Sequence, residues 1–148
     1  MSYTNWEGAH PAARVAMGAD GSISLTGGAT WDTWTTASWV TDGLVDFTHS
    51  SGVLTYTGLT GRTVTVVFLG TMITTTSGRN VSAGISVNNA NPATEDATLV
   101  NLPQTYPRAG SCAARVTLTN GDTLRVKFNC AASDTLVVSA GGSMTVGV

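Results

Sequence analysis

Residues 114–128 read Ala-Arg-Val-Thr-Leu-Thr-Asn-Gly-Asp-Thr-Leu-Arg-Val-Lys-Phe, and the fold turns on how this stretch is paired. Ala114, Val116 and Leu118 alternate with Arg115, Thr117 and Thr119. After Asn120-Gly121-Asp122 the period resumes, with Leu124, Val126 and Phe128 on one side and Arg125, Lys127 and Asn129 on the other. A period of two is that of a half-buried strand, and Asn-Gly is a turn signal. Two pairings satisfy this text. A simple hairpin sets Leu118 opposite Leu124 and Val116 opposite Val126, and the same register sets Cys112 opposite Cys130. Their Cα atoms would then lie ~5 Å apart, close enough for a disulfide. If the turn instead crosses between packed sheets ~10 Å apart, the cysteines lie beyond the ~7 Å limit of a bridge.

Outward from this stretch the text is of one kind. Val81, Ala83, Ile85 and Val87 alternate against Ser82, Gly84, Ser86 and Asn88, as a half-buried strand does. Arg62 to Met72 is the longest apolar run, with Val64, Val66 and Phe68 on one face and Val67 and Leu69 on the other. A strand apolar on both faces is buried on both, so a neighbouring subunit is expected over the second face. Shorter runs at Ile23–Thr26, Leu44–His49, Val53–Thr57, Leu99–Leu102, Leu136–Ala140 and Met144–Val148 are divided by Gly, Ser and Asn. Nine or ten strands result, which points to a sandwich or barrel. Residues 1–21 carry no sustained period and read as an N-terminal arm or lead-in, with at most one helical turn over Ala12 to Met17. Residues 22–148 read as a single β-sandwich domain.

Composition agrees. The 148-residue chain is 42 % hydrophobic and only 11 % charged, and about a sixth of it is threonine. Disordered chains have the opposite balance, and a helical protein would be richer in Leu, Lys and Glu. A net charge of −2 lacks the basic footprint of a nucleic-acid binder. No apolar run approaches the ~18 residues of a membrane helix. The first residues, Met1-Ser2-Tyr3-Thr4-Asn5-Trp6-Glu7-Gly8, have neither a basic nor an apolar leader region, so synthesis in a cytoplasm without secretion is expected. Cys112 and Cys130 are too few for a disulfide scaffold.

The order of signals resembles the C1q/TNF-like jelly roll over residues 44–148. Gly52-Val-Leu-Thr-Tyr-Thr57, Gly58-Leu-Thr-Gly-Arg62 and the long apolar strand after them are similar to its early core strands. Residues 114–128 are similar to its late strand pair, and Gly141-Gly-Ser-Met-Thr-Val146 to its closing strand. The resemblance implies a ten-stranded sandwich that forms homotrimers, with the turn at Asn120-Gly121-Asp122 crossing between sheets and both thiols free and buried. The Thr/Val/Gly-rich text, without a collagenous stalk, looks more like the C1q/TNF-like knobs of tailed-phage virions. That implies a virion structural protein on the virion surface, a capsid decoration or head-fibre knob bound to the major capsid protein or another virion protein. The alternative is a receptor-binding tail-fibre tip that recognises a host-surface glycan or protein.

Individual residues follow. Val64, Val66, Phe68 and Leu69 are candidates for the trimer interface or the core. Trp6 is the candidate anchor for virion attachment. Trp31, Trp34, Trp39 and Tyr56 are candidates for an aromatic seam, or for a ligand platform on which sugars stack. Ser50 or Ser51 with His49 and Asp46 is a poor triad, because neighbours along a strand point to opposite faces, and Asp46 and His49 are expected at a solvated strand end. Glu95-Asp96 falls short of the six to eight oxygens calcium takes. No catalytic residue, metal or cofactor is expected.

Overall fold

The computed structural model describes residues 10–28, 30–34, 38–102 and 106–148. Among them are thirteen strands: β1 (Ala12–Met17), β2 (Gly21–Leu25), β3 (Asp32–Thr33), β4 (Trp39–Val45), β5 (Phe47–Ser50), β6 (Val53–Tyr56), β7 (Arg62–Thr74), β8 (Arg79–Val87), β9 (Ala97–Leu102), β10 (Arg108–Leu118), β11 (Thr123–Cys130), β12 (Asp134–Val138) and β13 (Ser143–Gly147). A 3-10 turn, Thr94–Asp96, precedes β9. All pairings are antiparallel.

Several of these strands are halves of longer ones. Along one edge of β7, β13 pairs with Thr65–Leu69 and β12 with Met72–Thr74, so the two lie end to end. β1 and β2 lie end to end beside them. Both long strands break at the same level, where Met17 N–H donates to Gly142 O (2.9 Å), Gly141 N–H to Met17 O (2.8 Å) and Ala140 N–H to Asp20 (2.7 Å). The first sheet therefore runs β4, β1/β2, β13/β12, β7, β10, and the second runs β5, β6, β11, β8, β9 with β3 continuing the β6 edge. The thirteen strands thus reduce to the ten-position sandwich that the C1q/TNF-like resemblance implies.

β10 belongs to the first sheet and β11 to the second, so the turn at residues 119–122 crosses between sheets. Asp122 organises that turn, accepting from Thr119 N–H (2.7 Å) and from Asn88 Nδ2 (2.7 Å). Cys112 and Cys130 are both free and buried. Burial, with the charge of Asp96 adding to it, pushes the Cys112 thiol up to about 12.

The inward faces of the two sheets close on one core. Phe68 of β7 and Phe128 of β11 meet edge to face at 5.5 Å, and Trp34 caps both from 5.3 and 6.3 Å. Edge-to-face rings gain electrostatically beyond their buried area.

Two expectations need correction. Residues 12–21 are not lead-in: β1 lies between β13 and β4 and buries Ala13, Val15 and Met17. The Ala-rich text has weak β preference, and burial between two strands overrides it. Second, the strand expected to be half-buried over 81–88 also buries Gly84 and Ser86 on its other face. The loop after it folds back over the second sheet, so that a Cβ on Gly84 would meet Pro92 at 2.5 Å. Under the same loop Lys127 is only 5 % exposed, and its Nζ donates to Asn89 O (2.7 Å). Burial, then the nearby Arg125 charge, lowers the Lys127 pKa despite Asp32.

Candidate functional site

The pleat of β7 sorts the candidate residues. Val64, Val66 and Phe68 point inward and are buried; they are core. On the opposite face Val67 is half-buried and Leu69 is 56 % exposed. Around Leu69 the outer surface is cut down to small side chains. Register places Ser111 of β10 and Ser143 of β13 beside Leu69, and Ala113 and Thr145 beside Val67.

Two clefts meet at Leu69. One, of about 290 Å³, runs over Gly70, Thr71, Ala109 and Gly110 to Ala140–Gly142. The other, of about 520 Å³, lies between β9 and β10 and is walled by Leu69, Leu99, Val100 and Ala109, with Arg108 its charged lining residue. Among the described residues β9 ends its sheet, and β10 pairs with β7 alone. Both strands thus present open edges on one side of the sandwich. β9 contains no charged residue, and its Leu99 is 64 % exposed. An uncharged apolar edge without a bulge or a lysine is a template for association.

This arrangement is suited to protein contact. Sequence reading found its β7 half, Val67 and Leu69, through the doubly apolar run. It missed the β9–β10 wall, whose signal was the uncharged Ala97-Thr-Leu-Val-Asn-Leu102.

The aromatic candidates do not form an exposed platform. Trp34 (1 % exposed) and Tyr56 are buried. The Tyr56 hydroxyl donates to Thr60 O (2.7 Å). Trp39 packs against Trp34 at 4.6 Å, and Trp31 is half-buried. Trp6 lies outside the described residues. His49 is not at a solvated strand end. It is half-buried, its Nε2 accepts from Gly52 N–H (3.0 Å), and its ring meets Trp39 at 5.5 Å. A lone pair committed to a backbone amide is not free to act as a base toward Ser50 or Ser51. Glu95 and Asp96 lie in the 3-10 turn, and among the described residues no three His, Cys, Asp or Glu side chains gather as a metal site would need. No helix among the described residues is long and apolar enough to cross a membrane.

The fold defines a class: an all-β jelly-roll sandwich of two antiparallel sheets, the C1q/TNF-like architecture. Eiger TNF from S. frugiperda superposes with a TM-score of 0.61 at 14 % identity, covering 93 % of this chain and 91 % of that one. The globular domain of zebrafish complement 1qA gives 0.58 at 16 %, covering 93 % and 96 %. PRD1 vertex protein P5 gives 0.58 at 11 %, covering 95 % and 98 %. No family model matches the sequence, and no curated protein does.

Proposed function

We propose that this chain is a virion structural protein, a homotrimeric capsid decoration or head-fibre knob whose role is to bind rather than to catalyse. The observation that carries the virion reading is the full-length likeness in fold to a vertex protein, PRD1 P5. The homotrimer reading is supported by the Leu69 surface and the open β9–β10 edges beside it. In a closed ring each copy offers one surface and receives another. An edge bearing Leu99 against a face bearing Leu69 is such a pair. Residues 1–9 precede β1 and are the segment proposed to reach the major capsid protein or another virion protein, with Trp6 as its anchor, since one buried aromatic can dominate a small interface. The site of action is then the virion surface, after synthesis in the host cytoplasm.

Imaging of particles assembled with and without the chain tests the reading. Density that appears on the shell supports it. Density at a tail tip instead assigns the chain to receptor binding, and particles that never contain it refute both.

A further inference from the structure

His49 sits where three elements of the corner meet. β4 belongs to the first sheet and β5 to the second, and between them the chain turns at Asp46 with φ +58°. The β5–β6 hairpin closes through Ser51 (φ +47°) and Gly52 (φ +78°). Positive φ at both central residues is the tight turn that matches strand twist. Gly52 is buried, and a Cβ there would lie 2.6 Å from both Trp34 O and the Trp39 ring. The turn is therefore pressed onto the Trp34–Trp39 pair. The Gly52 N–H to His49 Nε2 bond ties it there.

That bond exists only for a neutral imidazole, because a protonated ring has donors at both nitrogens and no acceptor. Protonation would aim one N–H at another and put a charge into a half-buried site. Among the described residues no carboxylate stands by to receive it. On β4, Asp42 lies opposite Arg14 of β1 on the outer face of the first sheet. Asp46 is exposed at the corner, and on β6 the Tyr56 hydroxyl is tied to Thr60. β4 itself is an edge strand whose residues between Trp39 and Val45 are all exposed; it is held by its ladder to β1 and by Trp39, the β4 side chain that packs on the core.

We propose that His49 is an acid-release catch: its protonation frees the β5–β6 turn from Trp39 and loosens the edge strand β4, so that it opens more readily from β1. The lowered pKa of His49, caused by burial, agrees in sign. The closed state binds the proton less readily than the open one, so opening gains as pH falls below the ordinary value of ~6.5 and levels off below the closed-state value.

Hydrogen exchange of residues 39–52, corrected for intrinsic rate and followed from pH 8 to 5, is the test, with molar mass measured at each pH. Residues 81–87 of β8 serve as the internal reference. Opening should rise by up to ~10-fold per pH unit below pH 6.5 in 39–52 and stay flat in 81–87. His49→Gln retains an acceptor without titrating and should abolish the rise. Were His49→Gln unstable, the His49 ring titration by NMR, compared with the opening curve of the natural protein, would replace it. The proposal is overturned if His49→Gln opens with the same pH dependence, if His49 titrates while 39–52 stays protected, or if opening begins only where the molar mass falls.

Discussion

Replacing Asp134 by alanine removes the clasp between the two sheets at the end opposite the 119–122 turn. Its side chain is 0 % exposed and accepts from Thr75 Oγ1 (2.5 Å), Thr135 N–H (2.7 Å), Arg79 Nε (2.9 Å) and Thr76 N–H (3.3 Å). One carboxylate thus holds the start of β12 and the turn after β7 in the first sheet to the start of β8 in the second. Breaking a fully buried ion pair costs about 3–5 kcal/mol. The Arg79 side chain here is 30 % exposed, and Thr75 and Thr76 are exposed, so water recovers part of that. The Asp134→Ala loss is set at about 2–3 kcal/mol. For a chain of this length that is a Tm lower by roughly 4–12 °C. Asp134→Asn, which keeps an acceptor and loses the charge, should cost about half as much.

The pH dependence has a definite sign. Burial alone would raise the Asp134 carboxyl, but hydrogen bonds from Thr75, Arg79 and the Thr135 and Thr76 amides hold it well below the usual carboxylate range. A depressed folded-state pKa contributes stability that is complete above the unfolded value near ~4 and is lost as pH falls below it. Chemical denaturation at fixed protomer concentration, at pH 7 and pH 3, is the assay. The natural protein should lose stability between the two, and Asp134→Ala should lose less. A variant within ~0.5 kcal/mol of the natural protein at pH 7 refutes the clasp.

Phe68→Asp or Val66→Asp should yield no soluble folded protein. Each puts an unpaired carboxylate into the core at a cost of several kcal/mol against a total of about 5–15 kcal/mol, and soluble yield with far-UV circular dichroism reads the outcome. Thiol titration without reductant should detect neither cysteine in the native protein and two equivalents after denaturation; an internal crosslink would refute the sheet crossing. Deleting residues 1–9 should abolish particle attachment, and a deletion extended through β1 should unfold the sandwich. Unchanged particle binding after removal of 1–9 places the attachment site elsewhere.

The legible part of the fold was the part whose partners did not matter. Residues 114–128 show their period because one face meets a core whichever sheet they join. Which sheet they join is a property of the whole topology, and two pairings fit the local text equally well. β1 escaped because Ala12, Ala13 and Ala16 carry no strand preference of their own; its neighbours β13 and β4 supply the burial. The same holds for Gly84, Ser86 and Lys127, which read as solvent-facing until the loop after β8 is laid back across them. The candidate surface was half legible. Val67 and Leu69 stood out as apolar residues on the wrong face of a strand. Their facing wall at Leu99 and Ala109–Ser111 is assembled from two strands, β9 and β10, that belong to different sheets, and nothing local marks it. His49 was legible as a histidine and not as a turn lock, since its partner is a backbone amide.

The claim on which the rest depends is that copies of this chain associate through the outer face of β7 and the open β9–β10 edge. Molar mass by light scattering at micromolar concentration, on the natural protein and on Leu69→Asp, tests it most directly. Leu69 is exposed in the single chain, so the variant should fold, with circular dichroism unchanged. The account predicts three times the 15.2 kDa of one chain for the natural protein and a single chain for Leu69→Asp. A natural protein that stays at the mass of one chain would contradict the homotrimer, and a trimeric Leu69→Asp would contradict the surface assigned to it.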